Sequence, residues 1–269
     1  MWSVISLVIV KTNMQYKFNK EEHLHTLDGK PLTGTSSVGD VLAKPLTWWA
    51  SGKALEGLGW TNPKLVKREE GIKIAGKARK YFFITNEQYY DWLQECYKAH
   101  SVFKDKKAEE GTDLHAELEH WVKSQMGKLK HKDSYEPKIE PFINWATHNV
   151  KKFLWSEAHC YSEKLWIGGI SDLGVELNDG RYAVVDFKSS KEAYTSQFIQ
   201  TGLYAIEIEE NGLWDSEGKV NKKLDKEIEA LIIIPFGAKE IKPDIKWNIS
   251  DFKKAGESAV NLYRLINNN

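Results

Sequence analysis

The sequence predicts an α/β protein, and three observations carry that expectation. Alternating apolar and polar residues on both sides of Asn178-Asp179-Gly180 mark a β-hairpin. The β-branched run at 228–234 reads as a buried strand. Residues 193–208 and 250–267 space their apolar positions by three and four, as amphipathic helices do. With 269 residues the chain is long enough to bury a large core.

The elements follow in order. Residues 1–10 are apolar but lack a basic leader and are followed by a polar, charged segment, so neither a transmembrane helix nor a signal peptide is expected. They form an added strand, or Met14 is the start. Residues 14–42 read as a small hairpin region turning at Leu27-Asp28-Gly29-Lys30-Pro31. Helices are expected at 46–58, 87–101, 106–127 and 137–153 from their apolar spacing. Strands are expected at 159–167, 170–177 and 181–188, then the helix at 193–208 and the strand at 228–234. An edge strand at 241–248 and a closing helix complete the chain. It contains no internal repeat, heptad array or phosphate-binding P-loop. Any coupling to ATP hydrolysis would therefore need a partner.

Charge is balanced, 38 basic against 38 acidic residues, so the chain as a whole does not announce a nucleic-acid binder. It is unevenly spread, however. Lys64, Lys67, Arg68, Lys73, Lys77, Arg79 and Lys80 fall within seventeen residues, and Lys104, Lys106 and Lys107 form a second group. Either group could track a phosphate backbone, or simply be a solvated helix face. Trp48, Trp49 and Trp60 flank the first group and offer either base stacking or core packing. Two cysteines, Cys96 and Cys160, give no disulfide framework, suggest a reducing, cytoplasmic setting and are too few for a four-cysteine iron–sulfur cluster.

The hairpin register can be counted from its turn. With Gly180 left-handed in a three-residue loop, Leu177 opposes Arg181 and Asp172 opposes Asp186. Leu173, Val175, Leu177, Ala183, Val185 and Phe187 then share an apolar face, and Asp172, Gly174, Glu176, Tyr182, Val184, Asp186 and Lys188 share the other. Two carboxylates this close repel unless a proton or cation lies between them. Hard oxygen donors suit Mg²⁺ or Mn²⁺, and Lys188 can orient a metal-bound water, which points to phosphodiester hydrolysis. The competing reading is a solvated face of surface ion pairs. The agreement of spacing, register and the Gly168-Gly169 pair, which would let a ligand approach the backbone, favours the functional one.

Asp172, then Asp186-Phe187-Lys188, then Gln200-Thr-Gly-Leu-Tyr204 resembles the PD-(D/E)XK nuclease superfamily, most closely its RecB-like exonuclease branch. Gly111 to Glu119 resembles the upstream helix of that branch, which carries a histidine, here His115. Ser171 stands where the eponymous proline would be, and the missing cysteines set the chain apart from the cluster-bearing relatives. The segment Thr33-Gly-Thr-Ser-Ser-Val-Gly-Asp-Val-Leu, with Lys44 to Ala50, resembles the opening of phage-encoded members.

The resemblance implies a restriction-endonuclease-like core, a central mixed sheet flanked by helices. A helical N-terminal elaboration would cover the active site. On that basis 14–269 is one nuclease domain, 14–153 its N-terminal part and 154–269 its catalytic core. It implies that His115, Asp172, Asp186 and the Phe187 backbone carbonyl bind Mg²⁺ or Mn²⁺, and that Lys188 is the catalytic lysine. Gln200 and Tyr204 would contact substrate or position Lys188; Gln197 shares their helix face, and Glu163 matches an acidic position of the branch. Each of these last two is equally readable as an ordinary surface residue. Thr112 or Asp113 as N-cap would put His115 in a first helical turn, where the dipole keeps its ring neutral. The expected activity is metal-dependent DNA exonuclease, in host cytoplasm if phage-encoded. Partners would be DNA and a helicase or recombination protein, with oligomerisation left open. An endonuclease of the same superfamily and a non-cleaving DNA-binding scaffold are the alternatives.

Overall fold

A computed structural model describes residues 15–42, 47–58, 85–220, 222–237 and 241–267. The chain groups into two compact units, Met1–Leu42 with Leu118–Asn269, and Ala43–Glu117. The apolar N-terminal ten residues and the basic cluster from Lys64 to Lys80, with Trp60, lie outside the described residues.

The larger unit is an α/β fold. A small antiparallel sheet joins β1 (Tyr16–Asn19), β2 (Leu24–Leu27) and β3 (Lys30–Pro31). Its reversal at Asp28 and Gly29 uses two positive φ values, 50° and 73°, which the Asp-Gly pair tolerates. Next come β4 (Thr33–Gly34) and the short helix α1 (Thr35–Asp40). The main sheet is mixed: β4 runs parallel to β6 (Ile167–Leu177), which pairs antiparallel with β5 (Val150–Ser162) and β7 (Tyr182–Lys188). β8 (Ile228–Pro235) lies parallel to β7, and the three-residue β9 (Asp244–Lys246) closes the edge. This is the mixed sheet with flanking helices expected of the chain, plus the small N-terminal sheet.

Both faces of the hairpin are buried, so the expectation of one polar, open face holds only at its end. Helix α5 (Thr195–Asn211) covers Tyr182 and Val184 with Phe198, Tyr204 and Ile208, beside Leu231 and Ile233 of β8. On the other face Phe187 meets Phe142 edge-on, with ring centroids 5.3 Å apart. Phe142 sits on α4 (Glu140–Asn149) and also packs against Trp121, near the end of α3 (Asn86–Gln125). Each fully buried aliphatic side chain in β8 contributes about 1.5–3 kcal/mol. A two-sided core explains why 228–234 is apolar without alternation. The closing helix α6 (Ile249–Asn267) packs Ala259 and Val260 beside Leu203 of α5 and Val38 of α1.

Gly168 and Gly169 are positions of close packing. A Cβ on Gly168 would lie 3.1 Å from Leu32 Cδ1, and one on Gly169 would lie 2.6 Å from Tyr204 Cε1. The small sheet, α1 and α5 can therefore close onto β6 only where side chains are absent. Behind Gly169, Glu207 of α5 is fully buried and accepts the Thr35 hydroxyl at 2.5 Å and the Cys160 thiol at 3.1 Å. Burial pushes its carboxyl up to about 8, against those two hydrogen bonds.

Several expected boundaries move. The strand foreseen at 159–167 is β5, which begins at Val150 and ends at Ser162, and Ile167 already opens β6 because the chain turns between them. The helix foreseen at 137–153 is a 3₁₀ turn (Pro137–Ile139) and α4, and the chain enters β5 at Val150. Cross-strand pairing with β6 overrides the helical spacing there. The helices foreseen at 87–101 and 106–127 are the single forty-residue α3. Gly111 costs about 1 kcal/mol inside a helix, too little to break one whose flanks both favour it. In the smaller unit α2 (Thr47–Gly57) packs on α3, with Trp49 edge-on to Phe103 at 5.7 Å and Gly57 against Cys96. Trp49 thus packs within the protein. Both cysteines are buried as thiols.

Candidate active site

The hairpin turn sets the site. Gly180 has φ +88°, the Leu177 N–H donates to the Arg181 carbonyl at 2.9 Å, and the β6–β7 ladder pairs Leu173 with Val185. The register counted from the turn is therefore the observed one, and the next opposed positions are Asp172 and Asp186. The regular ladder stops one pair short of them. Beyond it β7 continues along β8 through Lys188, while Gly168 and Ile167 of β6 take β4 as their neighbour. The two aspartates stand where the strands part.

Their surroundings are specific. An Asp172 carboxylate oxygen accepts the Phe187 backbone N–H at 2.8 Å, bridging the gap with a side chain. Asp186 is 2% exposed and its Oδ2 lies 2.8 Å from Lys188 Nζ. Lys188 Nζ also donates to Gln200 Oε1 at 3.2 Å, and Gln200 Nε2 donates to the Tyr204 hydroxyl at 3.0 Å. Gln200 and Tyr204 are one turn apart on α5, so one helix face delivers both. Burial works to lower the Lys188 pKa, but Asp186 and Asp172 outweigh it and the net shift is upward; Lys188 is an ammonium. Burial, then the same two aspartates, push Tyr204 far up, so it stays a neutral phenol.

One carboxylate escaped the sequence reading. Glu157 falls between the pairs Ser156–Leu173 and Ala158–Ser171, directly across β5 from Asp172. Its φ of +51° is unusual for a glutamate. By register count Glu157, Asp172 and Asp186 occupy facing positions on β5, β6 and β7, one step beyond the ladder pairs on either side of Asp172. Glu119 of α3 is a second addition, with a carboxylate oxygen within 4.8 Å of one on Glu157. Opposed like charges are unfavourable, and a hard divalent cation is the partner such oxygen donors suit. Among the described residues Glu119 and Glu157 bring carboxylate oxygens close enough to share such a cation, whereas Asp172 and Asp186 are opposed by register count.

Of the other expected residues, Glu163, Gln197 and Glu176 fall elsewhere. His115 lies in the smaller unit, well inside α3 and one turn before Glu119, so no N-cap at Thr112 or Asp113 exists and the dipole reading of its ring does not apply. Glu163 is in the exposed turn after β5, whose backbone N–H groups at 163 and 164 are held by Glu210 at 3.1 Å. Along β6 that turn is roughly 16 Å from Asp172. Gln197 caps α5, accepting the Tyr194 N–H at 2.9 Å and donating to Ser190 Oγ at 3.1 Å. Glu176 is paired with Lys151 at 2.8 Å and Lys226 at 3.5 Å; its hydrogen bond from Lys151, more than the charge of either lysine, keeps its pKa low. Lys73, Lys77, Arg79 and Lys80 lie outside the described residues, while Lys104 and Lys106 are exposed on α3.

No protein-family model matches this chain, and no curated protein matches it. Among the described residues no helix is long and apolar enough to cross a membrane.

Proposed function

We propose that this protein is a metal-dependent deoxyribonuclease of the PD-(D/E)XK type, akin to the RecB-like exonucleases. The observation that carries the reading is the Asp172–Asp186 pair at the parting of β6 and β7, with Lys188 held by Asp186 and Gln200. A mixed sheet with flanking helices is the architecture the sequence resemblance implies, and a restriction-endonuclease-like core is the finer assignment we adopt.

Asp172, Asp186 and the Phe187 carbonyl would hold the cation, with His115 added as the resemblance implies. Mg²⁺ or Mn²⁺ bound there would supply Lewis-acid polarisation of the phosphoryl group and lower the pKa of water at the site. Lys188 donates a hydrogen bond to the attacking water or to a non-bridging oxygen, where negative charge builds. Gln200 fixes the lysine head group, and Tyr204 fixes Gln200. Water's oxygen forms the new P–O bond while the bond to the departing sugar oxygen breaks, and that oxygen leaves with a proton.

The test is cleavage of end-labelled linear DNA beside a covalently closed single-stranded circle, with Mn²⁺, Mg²⁺ or EDTA. Metal-dependent loss of the linear strand alone, absent in Asp186→Ala, is the expected result. Cutting of the circle would make the protein an endonuclease. Strong DNA binding without cleavage would make it a scaffold, and full activity in Asp186→Ala would remove the assignment.

A further inference from the structure

Beside the aspartate row lies a cavity of about 410 Å³, within the size range of small-ligand sites. Glu157 and Tyr204 belong to its wall, so it adjoins the candidate active site. The opposite wall is built by the N-terminal segment, with His23 and His25 of the small sheet and Ser36 and Ser37 of α1. None of these residues has a part in the reaction drawn above.

The lining selects against charge. Among the described residues no lysine or arginine lines the cavity, and Glu157 adds a carboxylate, so a phosphate group has no counter-ion there. His25 is buried and uncharged: burial, then His159 and His23, lower its pKa to about 3. Its Nδ1 lies 2.6 Å from the Tyr16 hydroxyl, which leaves Nε2 as the nitrogen Tyr16 does not engage. Leu24, Leu32 and Ile170 supply apolar surface. Hydroxyls, neutral imidazole and aliphatic surface together suit a planar heterocycle with a polar edge.

We propose that this cavity is a nucleoside subsite, seating the unpaired base of the nucleotide that adjoins the scissile phosphate. This rests on the nuclease reading for its role, though the cavity's chemistry stands apart from it. A base can enter only after leaving its stack and its pair. The protein therefore prefers a single-stranded or frayed terminus to a blunt duplex end.

The test compares end-labelled single strands that differ only in an ordinary or an abasic nucleotide at the terminus, together with saturation-transfer NMR of deoxyadenosine. Ser36 is exposed at the start of α1, so Ser36→Trp fills the cavity from its rim with little risk to folding. Leu24→Trp fills it from β2 and guards against a local fault in the first variant. Wild type should use the ordinary terminus about tenfold or more better than the abasic one. Both variants should bring that ratio towards one and abolish the deoxyadenosine signal. Equal use of the two termini by wild type, or an unchanged ratio in both variants, overturns the subsite. If wild type cuts neither strand the nuclease reading fails, and deoxyadenosine binding then decides alone. Binding lost in both variants upholds a nucleoside site, and no binding by wild type removes it.

Discussion

Asp172 and Asp186 were legible because a three-residue turn pins everything on its two strands. Once Gly180 takes a positive φ, each position back from the turn has one partner, and the count reaches Asp172 opposite Asp186 without any tertiary information. Glu157 could not be found that way. Its place depends on pairing between β5 and β6 across two register shifts, and its own backbone is irregular. Glu207 was equally hidden, since nothing local distinguishes a glutamate that will be fully buried. It has a measurable consequence. Its folded carboxyl holds its proton to about pH 8, whereas the unfolded one releases it near the ordinary value of 4.5. The folded state then binds more protons across that window, so the contribution is fully present below it and is lost as pH rises through it. Thermal unfolding between pH 5 and pH 8 should show wild type losing on the order of a few kcal/mol relative to Glu207→Gln. Parallel curves for the two proteins would mean that Glu207 is not buried as an acid.

Among the elements, α5 couples the sheet to the site. Its first turn is closed by Gln197, its next turns deliver Gln200 and Tyr204, and Glu207 anchors its far half to Thr35. Helical spacing alone put Gln197, Gln200 and Tyr204 on one face, but could not say which of them reaches Lys188. Distance along the helix decides it, because Gln197 lies over the N-terminus and finds the Tyr194 N–H first. Gln197→Ala should therefore lower stability by about 1 kcal/mol, read by denaturant unfolding, and leave cleavage by the folded protein unchanged within about twofold. A large loss of turnover with unchanged stability would return Gln197 to the site. The helices of the N-terminal half were harder to read. Gly111-Thr112-Asp113 has the composition of a boundary, yet α3 passes through it, since one glycine is a small cost in a helix of forty residues.

At the scale of the molecule, the site exists because one strand changes neighbours. β7 leaves β6 at Val185 but stays with β8 to Lys188, which opens a gap at the two aspartates while holding the lysine on a rigid strand. The alternation of strands and helices made an α/β class readable from sequence. The N-terminal sheet and α1 closing over Gly168 and Gly169 were not readable, because they rest on contacts between residues more than a hundred positions apart. That closure turns a pair of carboxylates on a hairpin into a site with a walled cavity beside it. The account stands on hydrolysis by that site, and Lys188 separates hydrolysis from metal binding. The deciding measurement is single-turnover cleavage of an end-labelled strand at saturating Mn²⁺ by wild type and Lys188→Ala, with Mn²⁺ binding measured on both. Retained binding with a rate at least about a hundredfold lower in Lys188→Ala is the predicted result. Equal rates in the two proteins would contradict it.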